Sequence, residues 1–388
     1  MPQKLSALRY IRNNKRRTAV LIVSLCLCFV LTMLTQFLLS TTEESFRSLL
    51  LGNGKKMQFI DLAGSSYGLD VDNLSYEELV PLYQEKQDTL IDNLNTYEGV
   101  KAVYDAQILY ECLNPVIGQF YFELPLVEKE EIPIFLEHFG AEIIQGRLPE
   151  HPGEIVLDTA TMANRGYGIG SYADEQNMGE LFKIVGILDC DYYFGCGIPS
   201  DEYTCESMIT VLSDGIDDMT VLLENEGITS REKYDSIVDY KRTTEIMEKE
   251  VKDVIAVSTQ FIFIGIIILL SIALFIVYTT YLRDRHNEWC LYCSIGYSRK
   301  TIYLSILREL LFTFAAAIFI GSIMVAVSEI VLYYIMIQPN GLKCNFLHTG
   351  ALWEIFCSYA LLCGILQIPV RYALYRIRTI DAMDDDLY

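Results

Sequence analysis

The chain has 388 residues, 51 acidic and 30 basic side chains, a net charge of −21 at pH 7 and 52% hydrophobic content. Such a balance disfavours nucleic-acid binding, which calls for a basic face. Uncharged apolar runs long enough to cross a bilayer exclude a single soluble domain.

Residues 1–17 carry Lys4, Arg9, Arg12, Lys15, Arg16 and Arg17 with no acid, and place Leu5, Leu8 and Ile11 on one helical face. This predicts a short interfacial segment leading into a first span at 18–40, which no small-x-small cleavage site follows. Further spans are predicted at 254–282, 306–337 and 351–370, the last shortened by Glu354. The short flanks 1–17 and 283–308 and the tail after 370 are rich in Lys and Arg, whereas the loop between the last two spans holds only Lys343. By the positive-inside rule both termini and the 283–308 loop are cytoplasmic. Residues 41–256 are then outside, and they hold 42 acidic and 15 basic side chains, net −27, against +6 for the remainder. An outer surface of that sign favours cationic partners.

Within the outer part, residues 41–51 continue the first helix until Gly52-Asn53-Gly54. Strands are predicted at 57–62, 100–110, 119–127, 154–158, 181–188 and 208–212 from β-branched and aromatic content. Leu79, Tyr83, Leu90 and Leu94 mark an amphipathic helix whose start Pro81 blurs. Alternating elements predict an α/β or α+β domain inserted between the first two of four transmembrane helices. After it, Ile237, Tyr240, Thr244, Met247, Val251 and Val254 are spaced like a helix-pairing seam. Thr229 and Glu232 fit a capping box. The spacing predicts one helix over 234–282, roughly 70 Å long at about 1.5 Å per residue, acting as a stalk. The chain thus divides into a cytoplasmic segment 1–17, spans 18–40, 257–282, 306–337 and 351–370, the outer domain with its stalk helices 41–256, an inner loop 283–305, an outer loop 338–350 and a cytoplasmic tail 371–388.

Catalytic signals are weak. No G-x-x-x-x-G-K-[ST] loop occurs, so the chain binds no ATP in that manner. Gly64-Ser65-Ser66-Tyr67-Gly68 matches G-x-S-x-G, but Leu69-Asp70-Val71-Asp72 starts no helix behind it, as a nucleophile elbow requires. Cys290-x-x-Cys293 is a lone pair and supplies half of a zinc site, so no metal and no cofactor are expected. Cys190, Cys196 and Cys205 suit either a disulfide or free thiols. Glu329 is the acid set well inside apolar sequence, which points to a function or to a buried partner.

Several segments resemble a known family. Phe139-Gly140, Gly146-Arg147-Leu148-Pro149, Glu154-Ile155-Val156-Leu157, Gly168-Ile169-Gly170 and Phe182 through Ile187 resemble the extracytoplasmic core domain of MacB/FtsX-type ABC transporter permeases. Glu288-Trp289-Cys290-Leu291, then Ile295-Gly296-Tyr297-Ser298-Arg299, resemble that family's cytoplasmic coupling segment. Glu309 resembles its acidic residue early in the third span, and Pro369 through Met383 its C-terminal ending, with Thr379 where proline is usual. The resemblance implies a bacterial cell-membrane permease without enzyme activity. A separate ABC ATPase subunit would bind the ATP and dock on Glu288, Leu291, Ile295, Gly296, Ser298 and Arg299. Membrane lipid and a second permease, identical or different, complete the expected partners. Mechanical transmission would serve export or extraction of a peptide or lipid-linked substrate. The alternatives are control of an extracellular cell-wall hydrolase, or sensing of and resistance to cationic antimicrobial peptides.

Overall fold

The computed structural model describes residues 15–71, 73–173, 182–200, 205–228, 235–246, 252–344, 346 and 349–376. The chain forms two compact units: a helical one comprising Met1–Ser40, Val257–Leu332 and Asn345–Tyr388, and a sheet-based one comprising Thr41–Ala256 and Tyr333–Cys344.

The sheet unit is built on nine strands: β1 (Met57–Asp61), β2 (Val100–Leu113), β3 (Phe120–Leu126), β4 (Glu142–Gly146), β5 (Glu154–Asp158), β6 (Lys183–Asp189), β7 (Gly195–Gly197), β8 (Glu206–Ser213) and β9 (Ser236–Val238). They lie in the order β4-β6-β5-β7-β3-β2-β8-β1-β9. β5 runs parallel to β6 and β3 to β7, and the other pairings are antiparallel. Side chains alternate across the strands, so both faces bury apolar groups. On one face Phe59, Ala106, Ile108, Val156 and Leu212 pack with Ile132, Phe135 and Phe139 of helix α3 (Ile132–Phe139). On the other, Ile60, Val103, Ile209 and Val211 pack with α2 (Tyr76–Leu94) and α5 (Met219–Asn225). Beside them Leu124, Ile155 and Leu157 pack with Met162 of α4 (Thr159–Arg165). Pro81 lies inside α2 without displacing its start, because the Glu78 carboxylate accepts from both the amide and the hydroxyl of Ser75.

The two halves of the Gly-Arg-Leu-Pro and Glu-Ile-Val-Leu motif meet in space. Arg147 clamps Glu154 with Nη1–Oε2 at 2.7 Å and Nη2–Oε1 at 2.5 Å, and the amides of Glu150 and His151 add to the same carboxylate. Gly146 adopts φ 83°, and a Cβ there would come within 2.2 Å of the Val185 carbonyl; glycine alone fits. Asp158 caps α4 through the amides of Ala160 and Thr161 and also accepts from the amide of Phe194.

The stalk differs from its expected form. Ile237 is not on a helix: it is buried in β9, paired with Ile60 of β1. The next residue but one, Asp239, accepts from the amides of Arg242 and Met219 and so starts α6 at Tyr240 (Tyr240–Ile246). A helix unbroken from 234 is thereby excluded. Tyr240 and Thr244 lie in α6 and Val254 in α7 (Lys252–Asp284). Met247, Val251 and the expected capping box at 229–232 lie outside the described residues. The Gly64–Gly68 stretch is a turn in which the Ser66 hydroxyl donates to Asp235. Cys190, Cys196 and Cys205 form no disulfide among the described residues.

The helical unit contains α1 (Lys15–Gly54) up to Ser40, α7 from Val257, α8 (His286–Ser294), α9 (Arg299–Leu332) and α10 (Thr349–Arg376). α9 begins seven residues before the predicted span, inside the expected loop. Among the described residues, Thr18–Gly54 and Arg299–Asn340 are long and apolar enough to cross a membrane. Ile267–Arg283 qualifies jointly with His286–Ser294 across a 44° bend, and Tyr359–Tyr375 is a shorter apolar helix. Phe29 contacts Tyr359 edge-on, and a Cβ on Gly321 would come within 2.7 Å of the Phe29 ring, so α1 and α9 meet at a glycine.

The Glu154 clamp sets a pH dependence. Arg147 and the two amides pull the Glu154 carboxyl from 4.5 to about 2, so the native state binds that proton less tightly than the unfolded chain. Its stabilisation is complete above about pH 4.5 and is lost as pH falls toward 2. Asp158 has the opposite sign: burial raises it from 3.8 to about 6, so its contribution falls as pH rises through that window. Glu154→Gln is expected to cost about 1–3 kcal/mol at neutral pH. It should also abolish the loss below pH 4.5. Denaturant unfolding followed by circular dichroism checks both, and an unchanged midpoint at pH 7 would refute the clamp.

Candidate functional site: the helical turn between α7 and α9

α7 ends at Asp284, and the chain turns through Arg285 into α8. An arginine at this point needs acceptors, because its guanidinium is almost enclosed, with 4% of Arg285 exposed. Nη1 donates to Glu309 Oε2 at 2.8 Å and to the Tyr281 hydroxyl at 3.1 Å, and Nε to Glu288 Oε2 at 3.4 Å. The Tyr281 hydroxyl donates in turn to Glu309 Oε1. The guanidinium also lies over the Tyr281 and Trp289 rings, 5.4 and 5.6 Å from their centroids. One buried cluster therefore joins α7 (Tyr281), α8 (Glu288, Trp289) and α9 (Glu309).

The far end of α8 is closed by local chemistry. Gly296 takes φ 100°, its amide donates to the Cys293 carbonyl, and the Tyr297 amide donates to the Tyr292 carbonyl. This is the Schellman pattern, with the Tyr292 and Tyr297 rings in edge contact as its apolar closure. Ser298 starts α9: its carbonyl accepts from the Ile302 amide, and its hydroxyl accepts from the Thr301 amide at 3.2 Å. Only residues 295–298 separate the two helices.

α8 is two-sided. Trp289 and Cys290 are 1% and 2% exposed and face the core of the helical unit. Leu291 and Ile295, four residues apart, are 57% and 62% exposed, and Arg299 and Lys300 follow them on the surface. The structure thus brings Glu288, Leu291, Ile295, Gly296, Ser298 and Arg299 into one helix–turn–helix. Glu329 stands apart in α9, half-buried and with no hydrogen bond or ion pair among the described residues. Sequence reasoning missed Tyr281 and Arg285. The available signal was Glu309, an acid at the start of an apolar run that demanded a cation nearby.

The pair should be costly to break. Glu309→Ala is expected to destabilise the helical unit by about 3–5 kcal/mol, because it strands a buried guanidinium. Glu309→Ala with Arg285→Met should recover part of that loss. Thermal melting in detergent, read by tryptophan fluorescence with Trp289 against the cluster, checks the order of the two variants.

Residues 261–382 match the family described as FtsX-like permease C-terminal, and the cluster and the turn both lie within the matched residues. Comparison with curated protein sequences finds no match. Among solved structures, the periplasmic region of MacB from Actinobacillus actinomycetemcomitans aligns at 15% identity and a TM-score of 0.26, covering 53% of this chain and 97% of that one. The extracellular domain of YknZ, a noncanonic ABC-type transporter from Gram-positive bacteria, aligns at 13% identity and a TM-score of 0.25, covering 47% of this chain and 99% of that one.

Proposed function

We propose that this chain is the permease subunit of an ABC transporter of the MacB/FtsX type and works by mechanical transmission, with α8 as the handle on which a separate ATPase subunit pulls. The observation that carries this reading is the contrast across α8. One face is tied to α7 and α9 through Arg285 and Glu309, while Leu291 and Ile295 stand exposed on the other. An apolar pair at i, i+4 on a surface helix, followed by Arg299 and Lys300, suits a partner's groove with an acidic rim. A handle transmits force only if it is stiffly connected, and a buried ion pair plus two tight helix caps supply that stiffness.

Four spans follow in this reading: α1, α7, α9 and α10, with both termini and α8 cytoplasmic and the sheet unit outside. Apart from Arg308, Glu309 and Glu354 near span ends and Glu329 deeper in, the predicted spans hold no charged side chain, which favours moved outer domains over a solute tunnel. Two permease copies would act together with two ATPases, surrounded by membrane lipid, and the chain would hold no cofactor itself. The net charge of −27 on residues 41–256 favours a cationic peptide as the species pushed away from the membrane. The same charge also suits a sensing role for such peptides.

Leu291→Asp combined with Ile295→Asp is expected to reduce co-purification of the ATPase roughly tenfold or more, equivalent to at least about 1.4 kcal/mol of docking energy. The melting temperature should not move, since both side chains are exposed. Undiminished co-purification and ATP-driven activity would refute the handle.

A further inference from the structure

We propose that the segment between α9 and α10 is a second mechanical connection, gripped by the same turn of the sheet unit that grips the outer end of α1. Beyond Leu332 the chain makes a π-helical turn (Tyr333–Ile337) and a 3₁₀ turn (Gln338–Asn340), and through Cys344 it belongs to the sheet unit.

Its contacts are not those of a slack surface loop. Gly341 sits at φ 62° with its backbone against α4, where a Cβ would come within 2.4 Å of the Ala160 carbonyl oxygen. Asn164 of α4 donates from Nδ2 to the Asn340 carbonyl at 3.0 Å, and it also holds Asn114 through both carbonyl and amide. The hydroxyl of Tyr193, a residue only 1% exposed, donates to the Gly341 carbonyl at 3.1 Å. Lys343 donates from Nζ to the Asp191 carbonyl at 2.7 Å and covers the Tyr193 ring.

The turn 190–194 that receives these contacts also receives α1. Asn53 donates from Nδ2 to the Tyr193 carbonyl at 2.6 Å. Ser45 of α1 bonds directly to the segment, its hydroxyl donating to the Lys343 carbonyl at 3.0 Å. The turn is fixed to the core by Phe194, whose ring stacks on Phe139 and whose amide donates to Asp158. Asp158 caps α4 as well, so one buried carboxylate braces both the turn and the seat of Gly341. Side chains from α1, α4 and the turn thus place hydrogen bonds on the backbone of three residues, Asn340, Gly341 and Lys343, which water would otherwise solvate. The consequence is that displacement of the outer end of α9 reaches the sheet unit through 333–344, in parallel with α1. That use of the connection rests on the transmission reading above; the grip itself does not.

The test uses the full-length permease with its ATPase in nanodiscs. In the wild type, trypsin cleavage after Lys343 should be slow. Gly341→Val drives a β-branched side chain into the Ala160 backbone and should raise cleavage roughly tenfold. Tyr193→Phe, which removes one hydroxyl, should raise it about threefold. Hydrogen exchange in β5 and β6 should stay unchanged in both. Wild-type cleavage as fast as that of the denatured chain, or no response to either variant, overturns the grip; should Gly341→Val not fold, Tyr193→Phe decides. A short thiol cross-linker between Asn164→Cys and Asn340→Cys addresses transmission. Retained ATP-driven activity in the linked protein supports a segment that moves with α4, and loss of activity on linking overturns it. If sheet-unit exchange in the unlinked protein ignores nucleotide altogether, the transmission reading fails instead, and the trypsin comparison still decides the grip.

Discussion

A guanidinium enclosed among apolar side chains must find anions and acceptors close by, and Arg285 finds them on three different helices. The geometry of the helical unit at this end follows from that requirement. Tyr281 is one helical turn before Arg285, and Glu288 is one turn after it across the bend. Both are local, and neither could neutralise the charge away from water by itself. Glu309 comes from α9, and its arrival at 2.8 Å fixes where α9 must start relative to α8. The short Gly296–Ser298 connection is what makes that arrival geometrically feasible. A Schellman ending followed at once by a serine cap reverses the chain in four residues, so few loop conformers compete with the paired state.

The sheet unit solves a similar problem twice. Glu154 is taken from solvent and met by Arg147 from the preceding turn, at a place where Gly146 and Gly186 let two backbones come closer than any Cβ permits. Asp158 is taken deeper and, among the described residues, is met by amides and a hydroxyl and by no cation, so burial raises its proton affinity where the clamp lowers that of Glu154. The two carboxylates stand at the two ends of one five-residue strand. The arginine partner makes Glu154 a stabiliser at neutral pH, whereas Asp158 trades stability for geometry. It orients α4 and the 190–194 turn together, and those are the two surfaces on which residues 340–343 rest.

Much of this was legible in the sequence, for physical reasons that also mark the limits. The apolar runs, the strands around Phe59, Ile155 and Val211, the stop at Gly296 and the cap at Ser298 are set by neighbours within a few residues. The Gly-Arg-Leu-Pro and Glu-Ile-Val-Leu segments could be matched to a family, but their shared salt bridge is a tertiary fact. Ile237 misled because a spacing of three to Tyr240 suits a helix seam, and a strand of three residues is too short to show its own period of two. Asp239 before Tyr240 carried the correcting signal, a helix cap placed too late for Ile237 to be inside. The short strands β4, β7 and β9 owe their existence to long neighbours and have little pattern of their own. Arg285 with Glu309, and Tyr193 with Gly341, are separated by 24 and 148 residues, and composition alone could not pair them.

The same comparison bears on where stiffness resides in the chain. A helix resists bending over its length, but it passes a displacement onward only if both of its ends are held by something that does not yield. At the turn between α7 and α9 the holding element is an ion pair that cannot slip without exposing a buried charge to apolar surroundings. At the sheet unit it is a set of backbone contacts that cannot slide without creating a clash at Gly341 or orphaning the carbonyls of Asn340 and Lys343. Both are steep and short-ranged, unlike apolar packing, which tolerates sliding because one methyl contact substitutes for another. Apolar contacts accordingly fill the long stretches of α1, α7 and α9, and polar ones concentrate where a helix must hand its position to the next element. Under the proposed transmission, the positions that carry displacement are the ends, where Arg285 and Tyr193 stand.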